Sequence, residues 1–451
     1  MNKNLDLGTT KVSKLMFTLA LPAVISQIVN MLYNIVDRIY IGNIPDEGVV
    51  ALTGLGLCFP IIMLVSAFSS LLGMGGAPKV AIAMGRNDKE EAEKILGNAT
   101  AMLLIMAVIL MTVLLVFGEP LLMLFGASEK TLPYALDYLR IYAIGTLFVQ
   151  ISLGLNPYIM TQGFSKISMY TVLIGAITNI VLDPIFIFYF DMGVQGAALA
   201  TTIAQAVSAI WVLVFLTGKK TNLKIKKVNL KLDLNIIMPI ILLGLSPFIM
   251  MATESVLNIC FNISLQKYGG DLAVGAMTIL SSVMNLCLMP LQGICQGAQP
   301  IISYNFGANQ LDRVKKAMFL QVAICGGFTI VIWALLMLSP EIFIMIFNRD
   351  VALMEITTWA MRIYMACLFA IGFQMACQQT FIALGYAKTS LILACLRKVI
   401  LLIPLIFILP NFYENKVFGV FLAEPVADII AAVTTVIVFS ITISKFMKTD
   451  K

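Results

Sequence analysis

The chain predicts an all-α integral membrane protein, with twelve transmembrane helices in two pseudo-symmetric six-helix bundles. Three observations carry that expectation. First, 60% of the 451 residues are hydrophobic and only 12% are charged, which is far from the composition of a soluble domain. Second, apolar runs long enough to cross a hydrocarbon layer of roughly 30 Å recur from end to end. Third, the chain repeats itself at a long period. Gly75, Pro78 and Gly85 return 222 residues later as Gly297, Pro300 and Gly307, and Phe125 returns as Phe347. Arg140-Ile141-Tyr142 returns as Arg362-Ile363-Tyr364, then Gly163 and Lys166 as Gly385 and Lys388. Six helices per half is an even number, so both halves enter the membrane in the same sense. That is a parallel repeat about an axis along the membrane normal.

In order, the expected spans are 15–41, 51–83, 95–117, 134–161, 169–190, 193–216, 235–265, 272–303, 314–338, 356–383, 391–409 and 417–447. The first run follows Lys11 and Lys14 and is too long for the core of a cleaved signal peptide. The second and eighth spans carry Gly and Pro in their interiors, which membranes tolerate when neighbours or water satisfy the freed backbone groups. The organisation expected is an N-lobe over 1–218, a basic linker over 219–234 and a C-lobe over 235–451. Loop charge sets the orientation. The N-terminus, the C-terminus and the loops near 86–94, 166, 219–231, 313–316 and 388 hold 20 of the 30 Lys and Arg. The alternate loops hold four, Lys130, Lys267, Arg349 and Lys416. The excess places both termini in the cytoplasm, as expected for a multi-pass protein of the inner (cytoplasmic) membrane.

Several function classes drop out. The net charge of +6 sits in short cytoplasmic loops and calls for no nucleic acid. All eight cysteines lie in apolar segments without CxxC spacing, against a disulfide framework or a zinc site. The chain has no histidine, so a proton-carrying step must use carboxylates. An integral membrane enzyme would want a nucleophile and base, or clustered metal ligands, at an interface. The loops are too short for such a constellation. Neither an enzyme nor a protein with a resident cofactor or metal is expected. The 27 Met and 27 Phe read as packing and lipid-facing residues before they read as a drug-binding wall.

The chemistry lies in acids placed inside apolar spans, where a charge costs roughly 2.5–3.5 kcal/mol on insertion scales. Asp183 stands in NIVLDPIFIF, with Asn179 one turn earlier on the same helix face. Pro184 follows and removes an N–H, so a kinked helix and a hinge are expected there. Asp37 lies deep in the first span. Its neighbour Arg38 points about 100° away around the helix, so Asp37 needs a partner elsewhere in its lobe. Asn156 and Thr201 add an amide and a hydroxyl from the fourth and sixth spans. Such oxygens suit a proton or a hard monovalent cation such as Na⁺. The repeat sets Leu405 opposite Asp183 and Asn262 opposite Asp37, so this pair belongs to one lobe only. The C-lobe has acids of its own. Glu254 reads as the deepest and as a second acidic site. Glu424 and Asp428 lie in the last span, with Glu424 within reach of Lys416 or water, and Arg397-Lys398 offers partners to these acids.

These features resemble the multidrug and toxic compound extrusion (MATE) family over nearly the whole chain. LPAVISQIVNMLYNIVDRIYIG is similar to its first helix, GMGGAPKVAIAMG and QGAQPIISYNFGA to its paired second and eighth, and NIVLDPIFIF with GVQGAALAT to its fifth and sixth. The resemblance is to bacterial multidrug exporters with an N-lobe cation site. It implies a V-shaped pair of bundles that alternate access to a central cavity. It also implies export of small organic, often cationic compounds against inward Na⁺ or H⁺. The family's cation site falls on Asp37, Asn156, Asn179, Asp183 and Thr201, and a second acidic position of another branch falls at Glu254. Small organic substrates and membrane lipids are the partners expected, with the monomer as the working unit. The alternative is a lipid-linked oligosaccharide flippase of related fold, which would line its cavity with Arg and Lys to hold a pyrophosphate.

Overall fold

A computed structural model describes residues 6–45, 48–345, 347 and 351–448. Arg349, counted above among the loop charges, lies outside them, as do the terminal Lys3 and Lys451. Among the described residues there is no strand. The first half supplies α1 (Val12–Gly42), α2 (Gly48–Gly85), α3 (Lys89–Leu124), α4 (Leu132–Thr161), α5 (Ser165–Pro184) and α6 (Gly193–Thr217). In the second half, α7 (Leu234–Gly307) runs for 74 residues, about 110 Å at the helical rise and several times a bilayer. It is broken at Gly270, where φ is 63° and ψ −161°, a left-handed conformation that glycine adopts without strain. Leu257 and Phe261 before the break pack beside Met277 and Met284 after it, so α7 doubles back and provides two crossings. Then follow α8 (Leu311–Leu338), the short α9 (Pro340–Met345), α10 (Val351–Tyr364), α11 (Leu368–Ala383), α12 (Ala387–Cys395), α13 (Ile403–Ile408) and α14 (Lys416–Lys448).

Two of the expected spans of the second half are interrupted. The tenth is a pair, α10 and α11, bent by 47° at residues 365–367. The eleventh is α12 and α13 joined by a π-helical stretch, Leu396–Leu402. Such wide turns insert where a regular helix would not place its side chains as required. Counting α7 twice and each interrupted pair once gives the twelve crossings expected. They form two six-helix bundles in a V.

The bundles meet where glycines let backbones touch, as membrane helices do when small residues line the contact. A Cβ on Gly85 would lie 2.0 Å from the Tyr304 carbonyl oxygen, and one on Gly307 2.1 Å from that of Ile82. Gly85 and Gly307 are repeat equivalents, and so are Ile82 and Tyr304. The contact is therefore reciprocal, as a pseudo-twofold axis requires. Further in, Gly75 meets Ile240 and Gly244, while Gly293 and Gly297 meet Val24 and Ala20. Phe68 packs on Phe248 with ring centroids 4.9 Å apart. All these contacts lie toward the end of the V that carries the N-terminus and the basic segment after α6. That basic segment is docked rather than loose. Gln162 Oε1 accepts hydrogen bonds from Thr221 Oγ1 (2.9 Å) and from the backbone N–H of Asn222 (3.0 Å) and Leu223 (2.9 Å). Asn98 Oδ1 accepts from the Asp233 N–H at 2.7 Å, and Glu93 pairs with Lys226.

Candidate cation site

Asp37 reaches the first bundle's interior from the last turns of α1, and Asp183 from the end of α5. Both are buried, at 8% and 0% exposure, and their carboxyls lie within hydrogen-bonding reach of each other. Asn179, one turn before Asp183, donates from Nδ2 to Asp183 Oδ1 at 3.1 Å and to Thr201 Oγ1 of α6 at 3.3 Å. Three oxygens at this point have no partner: Asp37 Oδ1, Asp183 Oδ2 and Asn179 Oδ1. Two adjacent carboxylates with unsatisfied oxygens in a low-dielectric interior repel each other unless a proton or cation joins them. Arg38 acts on Asp37 by its charge alone, because its guanidinium lies over the Phe59 ring, 5.1 Å from the centroid, and does not bridge the two acids.

Tyr33 and Tyr138 close the site. Both rings lie near the acids, and the Tyr138 hydroxyl bonds Thr201. Neither was singled out from sequence, where a tyrosine in an apolar span is indistinguishable from ordinary packing. Asn156 is placed differently from the rest. Its Nδ2 donates to the Ser168 carbonyl at 3.3 Å and its Oδ1 is unpaired. It shares with Asn179 and Thr201 the wall of a narrow cleft that neither Asp37 nor Asp183 lines.

Pro184, the expected kink and hinge, ends the α-helical part of its span. The residue keeps helical angles, φ −63° and ψ −28°, and the disturbance is absorbed as a π-helical turn, Ile185–Tyr189, whose last bond runs from Phe190 N–H to Ile185 O at 2.9 Å. The missing proline N–H and its ring clash shift the register to a wider turn, itself a recognised site of helix bending.

In the second bundle Glu254 is paired with Lys398, whose Nζ also donates to the Met250 carbonyl at 2.9 Å. Glu254 is not the deepest acid there, for its side chain is half exposed whereas Glu424 and Asp428 are buried. Glu424 meets neither Lys416 nor bulk water. It accepts from Arg397 Nη2 at 3.1 Å, while Lys416 lies over the Tyr268 ring. Hydropathy places these acids along α14 but does not reveal that the Leu396–Leu402 stretch brings Arg397 to them. Arg397 and Lys398, the cations that line the second bundle's cleft, are thus both held by acids, which leaves a pyrophosphate little to bind there.

Two bundles joined at one end, with a cleft in each and a buried acid pair in the first, define a multi-pass membrane transporter. The sequence pattern of the MatE family matches residues 22–185 and again 247–408, once in each half. The chain belongs to that family. It is 24% identical over 424 residues to the multidrug export protein MepA of Staphylococcus haemolyticus (strain JCSC1435), covering 94% of this chain and 93% of that protein. Among solved structures, it superposes with a TM-score of 0.92 on a MATE protein in a bent conformation, at 24% identity, covering 100% of this chain and 99% of that one. With an outward-facing MATE-family multidrug resistance transporter of the MOP superfamily the TM-score is 0.91 at 23% identity, covering 99% of each chain.

Proposed function

We propose that this transporter is a secondary active antiporter that exports small organic, often cationic compounds across the cytoplasmic membrane against inward H⁺ or Na⁺. Coupling is assigned to Asp37, Asn179, Asp183 and Thr201, with Asn156 on the adjoining cleft. The observation that carries the reading is the pair of buried carboxyls with three unpartnered oxygens around them. A proton or a monovalent cation removes the repulsion, so loading favours a packing in which α1 and α5 close on each other. Such an equilibrium moves only by the ion's differential affinity for the two packings. The exporter relatives support the cargo, and the loop charges support cytoplasmic termini, which make the V open outward.

The test is dye efflux from proteoliposomes with imposed H⁺ and Na⁺ gradients applied separately, comparing wild type with Asp183→Asn at equal protein. The expected result is efflux in the wild type under at least one gradient and near-complete loss in the variant. Wild-type efflux by Asp183→Asn would remove Asp183 as the coupling residue.

A further inference from the structure

All eight cysteines are free thiols, and two of them meet. In the core of the second bundle Cys295 Sγ of α7 lies 3.9 Å from Cys325 Sγ of α8. Both are buried, at 1% and 0% exposure, among Leu291, Met375 and Ala376. Gln321, one turn before Cys325 and also buried, donates from Nε2 to Cys295 Sγ at 3.4 Å and to the Ala376 carbonyl at 3.3 Å. Its Oε1 is buried without a partner. The first bundle shows that packing alone does not call for these groups. At the repeat distance of 222 residues, the equivalents of Cys295, Cys325 and Gln321 are Gly73, Leu103 and Ala99, none of them polar. The same offset joins Asn87 to Asn309 just before α3 and α8, and both hold a left-handed backbone, with φ of 60° and 56°.

A buried thiol in apolar surroundings is ordinarily inert. Three features set this pair apart. A second sulfur stands ready to resolve a sulfenic acid formed on the first. The Gln321 N–H is aimed at the sulfur that must carry negative charge while it attacks. The Gln321 oxygen lacks a donor, at a cost of about 1–3 kcal/mol, which a small O–H compound beside it relieves. The product decides between chemistries. A metal ion or an arsenical adds atoms to a core already packed, and a monovalent ion between two thiolates also leaves a negative charge there. A disulfide is neutral and adds none. To bond, the two sulfurs must approach by about 1.9 Å, and each swings on a single torsion.

We propose that Cys295 and Cys325 are an oxidative modification site whose disulfide locks α7 to α8. The oxidant is a peroxide, a class small enough to reach a buried sulfur and able to donate an O–H to Gln321 Oε1. The Cys295 sulfur attacks one peroxide oxygen, the O–O bond breaks, and the other oxygen leaves as water with the thiol proton. That makes a sulfenic acid. The Cys325 sulfur then attacks the Cys295 sulfur. The S–S bond forms, the S–O bond breaks, and the hydroxyl leaves as a second water with the Cys325 proton. Two thiols lose two electrons, and one hydrogen peroxide becomes two waters. The lock falls on the segment of α7 that Pro290 and Pro300 leave short of backbone hydrogen bonds. On either side of Cys295, Gly293 and Gly297 meet Val24 and Ala20 of the first bundle. Tying this segment to α8 opposes any change in the contact between bundles, so oxidation slows export. Only that last consequence rests on the exporter reading.

The experiment treats full-length protein with hydrogen peroxide, in detergent for mass spectrometry and in proteoliposomes for dye efflux. After denaturation in an alkylating agent, a peptide linked through Cys295 and Cys325 should appear with peroxide and vanish with dithiothreitol. Efflux should slow several-fold with peroxide and recover with dithiothreitol, which does not reverse methionine oxidation. Cys325→Ser should give no linked peptide and keep its efflux under peroxide, although its methionines are unchanged. Cys295→Ser should do the same, which keeps the proposal testable if one variant fails to fold. Cys377→Ser, which removes a third thiol near the pair, should still form the link. The proposal is overturned if the wild type forms no such link, if Cys295 pairs with Cys377 instead, if efflux is unchanged once the link has formed, or if the serine variants slow as much as the wild type. Failure of the exporter reading would show separately, as absence of dye efflux before peroxide is added, and the linked peptide would still test the site.

Discussion

Gly307→Ala tests whether the glycine contact is what holds the V shut at one end. The added Cβ would lie 2.1 Å from the Ile82 carbonyl oxygen and 2.8 Å from the carbonyl carbon and Cα of Ile82. Ordinary contact to that oxygen needs a little over 3 Å, so the two backbones must part by about an ångström or the helices must deform. Neither partner is a flexible side-chain tip, and overpacking of this kind costs about 1–3 kcal/mol. Parting the bundles relieves it, so the strain falls on the closed arrangement. At about 1.4 kcal/mol per factor of ten, the closed-to-parted ratio should fall roughly 5- to 150-fold. The readout is pulsed electron spin distance measurement between nitroxides at Arg86→Cys and Gln310→Cys, both exposed beside the contact, in a background without the native cysteines. The variant should show a longer-distance population that the wild type lacks. Gly327→Ala is the control, because its Cβ meets nothing within 4 Å. If Gly307→Ala and Gly327→Ala give the wild-type distance distribution alike, the glycine contact is not what sets the closed end.

Two further outcomes follow from the polar network. Gln162→Leu removes the acceptor of three hydrogen bonds from the basic segment, each contributing about 0.5–1.5 kcal/mol net. Trypsin cleavage within Lys219–Lys231 should therefore rise at least tenfold in inverted membrane vesicles, and unchanged cleavage would mean that Gln162 does not hold the segment. Arg397→Met strips the cation from two buried acids and should destabilise the protein by about 3–5 kcal/mol. Lys398→Met, which abandons only the half-exposed Glu254, should cost clearly less. Thermal inactivation in detergent ranks the two, and the reverse order would refute the burial argument.

Much of the fold is legible in the sequence because a membrane restricts the choices. A run of apolar residues must be a helix, since hydrocarbon offers the backbone no other hydrogen-bond partner. The 222-residue repeat, read from Gly85 and Gly307, also locates the axis of the V, because those two glycines touch each other's helices. Asp37, Asn179, Asp183 and Thr201 are legible because three of them are polar residues standing out in apolar spans and the fourth is one turn from Asp183. What stayed hidden involves register. The widening of the turn after Pro184 depends on the surrounding packing, and so does the π-helical stretch that carries Arg397 and Lys398. The order of burial among Glu254, Glu424 and Asp428 could not be read from hydropathy, which averages over helix faces and does not know which face meets the cleft.

The two bundles solve one electrostatic problem in different ways on a shared scaffold. In the first, Asp37 and Asp183 face each other with no base between them, and Arg38 is turned to an aromatic ring. In the second, three acids share two bases. The first arrangement therefore leaves more negative charge to be met from outside, and it sits on α1. That helix has a double allegiance. Leu15 and Leu19 near its start pack with Ala298, Ile301 and Ile302 of α7, in the closed end of the V. Ile41, one turn beyond Asp37, belongs to the core of the first bundle. The Arg313 guanidinium and the Asn305 amide tighten the start of this path, both donating to the Leu7 carbonyl at 3.0 Å. A change in how Asp37 is neutralised is thus applied to a helix whose other end forms part of the contact between bundles. Asp37 and the contact between the bundles thus lie on one continuous helix, about 22 residues or roughly 33 Å apart.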